Sequence, residues 1–375
     1  MHEEVELHRL TQWDTRPQPT MSLYLALDHP REGRLQTLGQ LIKTKEQKMR
    51  SNGSSQWWES LAPDLEQANR FVEELPLGPD RGLVLFSCKD CDKFQAYTLP
   101  LLVPNLLEVG PSPYIRPLAA LIDDYCRTQI VVLDSRQARF FEGYLGQVEE
   151  LDRMAINMEA AGQERDGDQG RAGDKRISNR ADEAKMRLAK EVNAALLQTM
   201  GTNQYRQLLL GGPKGAVEAL VPLLHPYLAQ RLGGLLSCEA NAPLSVIAQG
   251  VAEAQARARA ERQKRLLATL AENMGPKGQA ASGLNQVLAA LFEGKVHTMF
   301  VNRGFKAPGG SCPSCGRLRH LAGVCPICAE KMTPVEDVVN LAVVRALASG
   351  AGLEQVEGNS FLGEMGQIAA LLRYA

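Results

Sequence analysis

"QIVVLDSRQARFFEGYLGQVEEL", residues 129–151, is the stretch whose reading decides the fold. Two strand-like runs, QIVVLD and ARFFEGYLG, flank a tight polar turn at Ser135-Arg136. Downstream, helical spacing predicts a helix from about Ala181 to Met200. "QLLLGG" then reads as a short, fully apolar strand ending in glycines. "GAVEALVPLLHPYLAQRL" follows as an amphipathic helix bent at Pro222 and Pro226, because proline cannot continue the backbone ladder. Strand, helix, strand, helix in this order predicts an α/β domain with parallel pairing. A long Ala/Arg/Glu-rich helix, roughly Pro243 to Met274, closes the region. Its Arg257, Arg259, Arg262 and Arg265 lie close together and read as a solvated face.

Working outward, the N-terminal part is α+β. "TMSLYLALD" alternates Met21, Leu23, Leu25 and Leu27 on one face, a strand pattern. "LQTLGQLIKTKEQKM" places Leu35, Leu38, Leu41 and Ile42 at helical spacing, with Lys43, Lys45 and Lys48 mostly off that face as a basic surface. "RGLVLFSCKDCDKFQAYTLP" reads as two strands around a short turn at Lys89-Asp90, and "VGPSPYIRPL" as a Pro-rich connector. On the other side, the Gly-rich "GPKGQAASG" marks a boundary. Beyond it come a helix (GLNQVLAALFEG), a strand (VHTMFVN), a cysteine cluster, a helix (VEDVVNLAVVRALASG) and short strands ending in IAALLRYA. The expected domains are 1–127, 128–278 and 279–375.

With 375 residues, two or three domains of ~100–200 residues each fit. A net charge of −1 means that any nucleic-acid contact comes from local patches, not from overall charge. No run approaches the ~20 apolar residues of a membrane span, and the acidic start MHEEVELHRL is neither a signal nor a transit peptide. A cytoplasmic location is expected. Eight cysteines there point to thiols or metal and not to disulfides.

The strongest chemical motif is "CPSCGRLRHLAGVCPIC". Cys312 and Cys315 form one C-x-x-C, Cys325 and Cys328 another, with nine residues between the pairs. Each pair curls backbone around one side of a metal, and four thiolates complete a closed tetrahedron, so a structural Zn2+ is expected. Cys88 and Cys91 also make a C-x-x-C, but in a strand–turn–strand context with no second pair nearby; a pair of hairpin thiols explains it. "GGPKGA", residues 211–216, follows a strand and opens a helix, yet it lacks phosphate-loop spacing, and glycines at a strand-to-helix corner suffice.

One stretch resists a structural reading. "EAAGQERDGDQGRAGDKRISNR", residues 159–180, has four glycines, charge of both signs and almost nothing apolar. A charged loop of this length is expected to be functional or disordered.

Five of the chain's segments carry a resemblance. "IAALLRYA" preceded by "GEMGQ" is similar to the C-terminal ending of the eukaryotic/archaeal class 1 release factors and pelota. "QIVVLDSRQARFFEGYLGQVEEL" resembles the first hairpin of their central domain. A zinc knuckle pair inserted in the C-terminal domain resembles that of archaeal release factors. "SLYLALD" and "PYIRPL" look like the bacterial/archaeal release-factor-like branch, whose relatives include the ribosome hibernation factor Balon. The resemblance implies a three-domain, tRNA-mimicking factor for the ribosomal A site, with rRNA and a translational GTPase as partners. In release factors the loop after that hairpin carries Gly-Gly-Gln, whose amide positions water for attack on the peptidyl-tRNA ester. Here no Gly-Gly-Gln occurs. The loop offers Gln163 and Gln169 as candidate catalytic amides, and Arg165, Arg171, Lys175, Arg176 and Arg180, with Lys43, Lys45 and Lys48, as candidate RNA contacts. The stop-codon-reading Asn-Ile-Lys-Ser is also absent. The resemblance therefore implies hibernation or rescue; the alternatives are a release factor or peptidyl-tRNA hydrolase, and a zinc-domain adaptor that binds protein.

Overall fold

The computed structural model describes residues 7–13, 15–51, 55–155, 171–202, 205–275 and 278–374. The chain divides into two compact units, one made of residues 1–120 and 263–375 and the other of residues 121–262.

The first unit opens with helix α1 (Leu7–Thr11), strand β1 (Thr20–Ala26) and helices α2 (Arg31–Ser51), α3 (Ser55–Ser60) and α4 (Ala62–Glu74). Strands β2 (Gly82–Cys88), β3 (Lys93–Leu99) and β4 (Leu106–Gly110) follow. They form an antiparallel sheet in the order β3-β2-β1-β4. Met21, Leu23 and Leu25 of β1 pack with Leu38, Trp58, Ala68 and Val72 of the helices. The one-faced strand expected from the alternation is in fact buried on both faces. β1 is central, and its other face carries Ser22 and Tyr24, which are polar enough to look exposed in the sequence. Both are consumed by Tyr114: the Tyr24 hydroxyl donates to its carbonyl at 2.5 Å, and its N–H donates to Ser22 Oγ at 2.9 Å.

The second unit is built on the quoted hairpin. Helix α5 (Arg116–Asp124) leads across the boundary into β5 (Thr128–Leu133), β6 (Gln137–Tyr144) and β7 (Gln147–Ala155). Then come α6 (Arg171–Thr202), β8 (Gln207–Gly211), α7 (Lys214–Leu220), α8 (Pro226–Ala229), β9 (Leu232–Leu236) and α9 (Leu244–Glu272). The sheet order is β7-β6-β5-β8-β9; the hairpin is antiparallel, while β5, β8 and β9 pair in parallel. Successive residues of β5 face opposite ways. Val131 and Leu133 meet Leu188, Val192 and Leu196 of α6, whereas Ile130 and Val132 meet Ile247, Val251 and Ala254 of α9. Helices on both faces are why this strand is buried throughout and apolar from Ile130 to Leu133.

Three expectations change here. The helix after β8 is not bent but broken at Pro222 and Pro226 into α7, a 3-10 turn and α8. Its expected last residue, Leu232, instead begins β9. In α9 the arginines are not a free solvated row: Arg259 pairs with Asp124 and Arg262 with Asp123, each at 2.6 Å. In GGPKGA, Gly212 (φ +128°) is required by the strand-to-helix corner, since a Cβ there would lie 1.9 Å from the Leu133 carbonyl oxygen.

The rest of the first unit holds β10 (Ala280–Ser282), α10 (Leu284–Phe292), β11 (Val296–Asn302), β12 (Gly309–Ser311), β13 (Leu318–Arg319), β14 (Thr333–Val335), α11 (Val338–Ala348), β15 (Gly352–Val356), α12 (Ser360–Glu364) and β16 (Ile368–Leu372). Strands β10-β16-β11-β15 make a mixed sheet, with β11 and β15 parallel. IAALL of the final strand is therefore a core strand paired on both edges. Strands β13-β12-β14 form a separate small antiparallel sheet that carries the cysteines. The fold class is mixed α/β with several sheets. Among the described residues no helix is long and apolar enough to cross a membrane.

Candidate functional site

The two C-x-x-C turns are the same object built twice. In the first, the N–H of Gly316 donates to the Cys312 carbonyl at 2.9 Å, and the N–H of Cys312 donates to the Arg317 carbonyl at 2.8 Å. In the second, Ala329 donates to Cys325 at 2.9 Å and Cys325 to Glu330 at 2.8 Å. The residue after each second cysteine is left-handed, Gly316 at φ +75° and Ala329 at φ +58°. Glycine adopts that conformation freely; alanine pays a steric cost there, which the turn imposes.

These turns bring the four thiols together, with all Sγ atoms within 4.8 Å of one another. Cys312 and Cys328 are 3.3 Å apart, Cys315 and Cys325 3.5 Å, and Cys315 and Cys328 3.7 Å. A tetrahedral ion with metal–sulfur bonds of ~2.3 Å has sulfur–sulfur edges of ~3.8 Å, so the set fits one metal ion. Backbone N–H groups favour the thiolate that such an ion requires. The Cys315 N–H holds Cys312 below its ordinary value, and the Cys328 and Ile327 N–H groups hold Cys325 down at about 6. At Cys315 the Arg317 N–H works in the same direction, but burial and three neighbouring thiols push it up to about 11. Four thiols crowding one another is a cost that a cation removes. Four sulfur ligands leave no open coordination position, so a bound ion here holds structure and does not touch a substrate.

The first turn is fastened to the unit. The Arg345 guanidinium of α11 donates to the Gly316 carbonyl, and Arg317 lies 4.9 Å from the Phe292 ring centre. Around the second turn Leu321, Val324 and Ile327 are more than half exposed. Cys88 and Cys91 gather no third ligand among the described residues. Burial, with the adjacent Cys91, pushes Cys88 up to about 12.

The other expected site residues separate into three groups. Gln163, Arg165 and Gln169 lie outside the described residues. Arg171, Lys175, Arg176 and Arg180 were expected in a loop but lie on α6, which begins at Arg171 and not at Ala181; their side chains are outside what the structure describes. Their stretch has adequate helix formers but no apolar stripe, so no period announced the helix. Lys43 and Lys48 are exposed on α2. Lys45 is not part of a basic surface: it is 5% exposed, and its Nζ donates to Glu108 at 2.6 Å and Glu336 at 3.0 Å. A buried ammonium must be paired, and these two carboxylates pair it.

That contact belongs to a network that sequence reasoning missed. Asp337 caps α11, accepting from the Val339 N–H at 3.0 Å. Its other oxygen accepts from Arg116 Nη1 at 3.1 Å and the Tyr114 hydroxyl at 3.2 Å. Asn340 donates to the Pro113 carbonyl and accepts from the Ile115 N–H. The Pro-Tyr-Ile-Arg of the supposed connector is thus a clasp between β4 and the start of α11. The only sequence signal was its density of ring and proline residues.

The hairpin, the parallel strands and their covering helices lie in the part of the chain that matches a known family. Residues 113–273, from the clasp to the end of α9, match the family model of bacterial archaeo-eukaryotic release factor family 10. No protein of curated function matches the chain. Similar solved structures include an archaeal translation termination factor at 17% identity, covering 98% of this chain and 96% of that one with a TM-score of 0.25. Archaeoglobus fulgidus Pelota is 14% identical, with 78% and 80% covered and a TM-score of 0.34. A ribosome-bound archaeal Pelota is 17% identical, with 78% and 77% covered and a TM-score of 0.44. These three likenesses are remote.

Proposed function

We propose that this protein is a ribosome-associated translation factor that occupies the A site of idle or stalled ribosomes, in hibernation or rescue. The family match over residues 113–273 is the observation that carries this reading. It includes the hairpin, α6 and the segment between them, where release factors hold their catalytic loop. In this reading residues 159–180 are an RNA-probing arm, and Arg165, Arg171, Lys175, Arg176 and Arg180 meet phosphates. Lys43 and Lys48 add a second basic contact, and the chain works in the cytoplasm as three parts, 1–127, 128–278 and 279–375. Delivery by a translational GTPase is part of the same reading. The ion held by Cys312, Cys315, Cys325 and Cys328 is zinc, the usual occupant of a closed four-thiolate tetrahedron.

The arm does not hydrolyse the ester in this reading. Hydrolysis needs water held within ~3–3.5 Å of the carbonyl in attack geometry. Two adjacent glycines before the amide would let backbone enter a crowded RNA pocket. Gln163 is preceded by one glycine and followed by Glu164, whose charge repels phosphate. Gln169 has Asp168 before it and Gly170 after it, reversing the order. The test is peptide release from ribosomes carrying peptidyl-tRNA and an empty A site. The expected result is binding with the ester intact. Release that Gln169→Ala or Gln163→Ala abolishes without loss of binding makes the protein a peptidyl-tRNA hydrolase instead.

A further inference from the structure

Between the end of α1, α11 and the base of the cysteine sheet lies an open cavity of about 220 Å³. Leu318, Leu341 and Val344 give it an apolar wall, and Trp13 adds an aromatic one. Trp13 meets Phe86 edge-on with ring centres 6.5 Å apart, a contact that holds the indole in place. The indole N–H meets no acceptor among the described residues. Arg345 of α11 lines the same cavity and is half-buried. Its Nη2 donates to the Gly316 carbonyl, while its Nε and Nη1 meet no acceptor among the described residues. Arg16 lines the cavity too but has an interaction of its own, so Arg345 is the cation on which the site depends.

Guanidinium and indole nitrogens only donate; neither side chain can accept a hydrogen bond. None of the cavity's described lining residues is acidic. Open donors without a carboxylate suit a ligand that brings acceptors, and apolar walls suit a ligand with an apolar body. We propose that this cavity binds a small organic carboxylate, its body against Trp13, Leu318, Leu341 and Val344 and its carboxylate on the open donors of Arg345. A guanidinium presents paired N–H groups at the spacing of two carboxylate oxygens. The bond to Gly316 holds that group in place before the ligand arrives, which lowers the ordering cost of binding. The volume lies below the ~300–1,000 Å³ of pockets for drug-sized ligands, so the ligand is small. This site is independent of the A-site reading.

The experiment uses the full-length, metal-loaded protein. The probes are 3-phenylpropionate and hexanoate, with 3-phenylpropanamide as the uncharged control and inorganic phosphate as an anion without an apolar body, each titrated by ligand-observed NMR. Saturable binding of a carboxylate probe is expected, with the amide and phosphate at least about tenfold weaker. Ala348→Trp places a bulky side chain on an exposed lining position of α11 and leaves Arg345 intact. It should weaken carboxylate binding about tenfold or more, as should Arg345→Met, whereas Lys214→Ala on α7 should not. Arg345 also fastens the first cysteine turn, so where Arg345→Met loses metal or fold, Ala348→Trp decides. No saturable binding of either carboxylate, equal affinity for the amide or for phosphate, or unchanged affinity in folded Ala348→Trp overturns the proposal.

Discussion

The cysteine ribbon and the Asp337 network both fasten segments that bury little apolar surface of their own. The ribbon does so with four thiols inside residues 312–328, placed so that one metal ion could close them. The network does so with one carboxylate that accepts from Val339, Ala307, Arg116 and Tyr114. The ribbon is short-range, and in the zinc reading its strength is borrowed from an ion. The network is long-range, and its strength comes from burial, because the Arg116 and Asp337 side chains are only 4% and 9% exposed. Each should therefore fail under a different insult.

The largest effect is expected at the ribbon. Cys325→Ser, or chelation, removes the metal, and binding of such an ion contributes folding free energy of the order of 10 kcal/mol in small isolated modules. Metal analysis should find one ion per chain in the wild type and in Cys88→Ser, and a loss in Cys325→Ser. Protease sensitivity should then appear around 309–335. Full metal content in Cys325→Ser would break the comparison at its first term.

Next is the network. Asp337→Ala leaves the Arg116 guanidinium buried and unpaired and removes the cap of α11, so a loss of ~3–5 kcal/mol is expected by denaturant titration. Metal content should not change. Lys48→Ala removes an exposed partner of Glu336 and should cost less than ~1 kcal/mol. Equal losses from the two substitutions would mean that burial is not what makes the network matter.

A smaller effect separates the two by acidity. Burial alone would raise Glu108 and Glu336. Lys45 and Lys306 at Glu108, and Lys45 and Lys48 at Glu336, outweigh it and hold both below the ordinary 4.5. A depressed carboxylate stabilises the fold above its unfolded value, and that contribution is lost as pH falls through the folded value. Melting temperature should thus drop below about pH 4.5, and Lys45→Met should flatten that limb. An unchanged acid limb in Lys45→Met would contradict the role given to Lys45.

The same contrast explains what the chain disclosed. The ribbon was legible because metal chemistry dictates spacing within a few residues, and the central hairpin because its apolar runs are continuous. Lys45 was misread because an ammonium on a helix looks solvated until residues 108 and 336 arrive beside it. Ser22 and Tyr24 hid the second covered face of β1 for the same reason. β9 was lost because Gly233 and Gly234 dilute a strand that is a sheet edge. The first turns of α6 were invisible because no apolar stripe marks them.

The A-site reading rests on contact with the ribosome, and sedimentation tests that most directly. Folded, metal-loaded protein is spun with vacant ribosomes over a range of salt. It should co-pellet at low salt and be released steeply as salt rises, since each phosphate contact frees condensed counterions. Replacing Arg171, Lys175 and Arg176 together by Ala should weaken binding and flatten the slope. Protein that stays in the supernatant at every salt concentration would contradict the A-site reading.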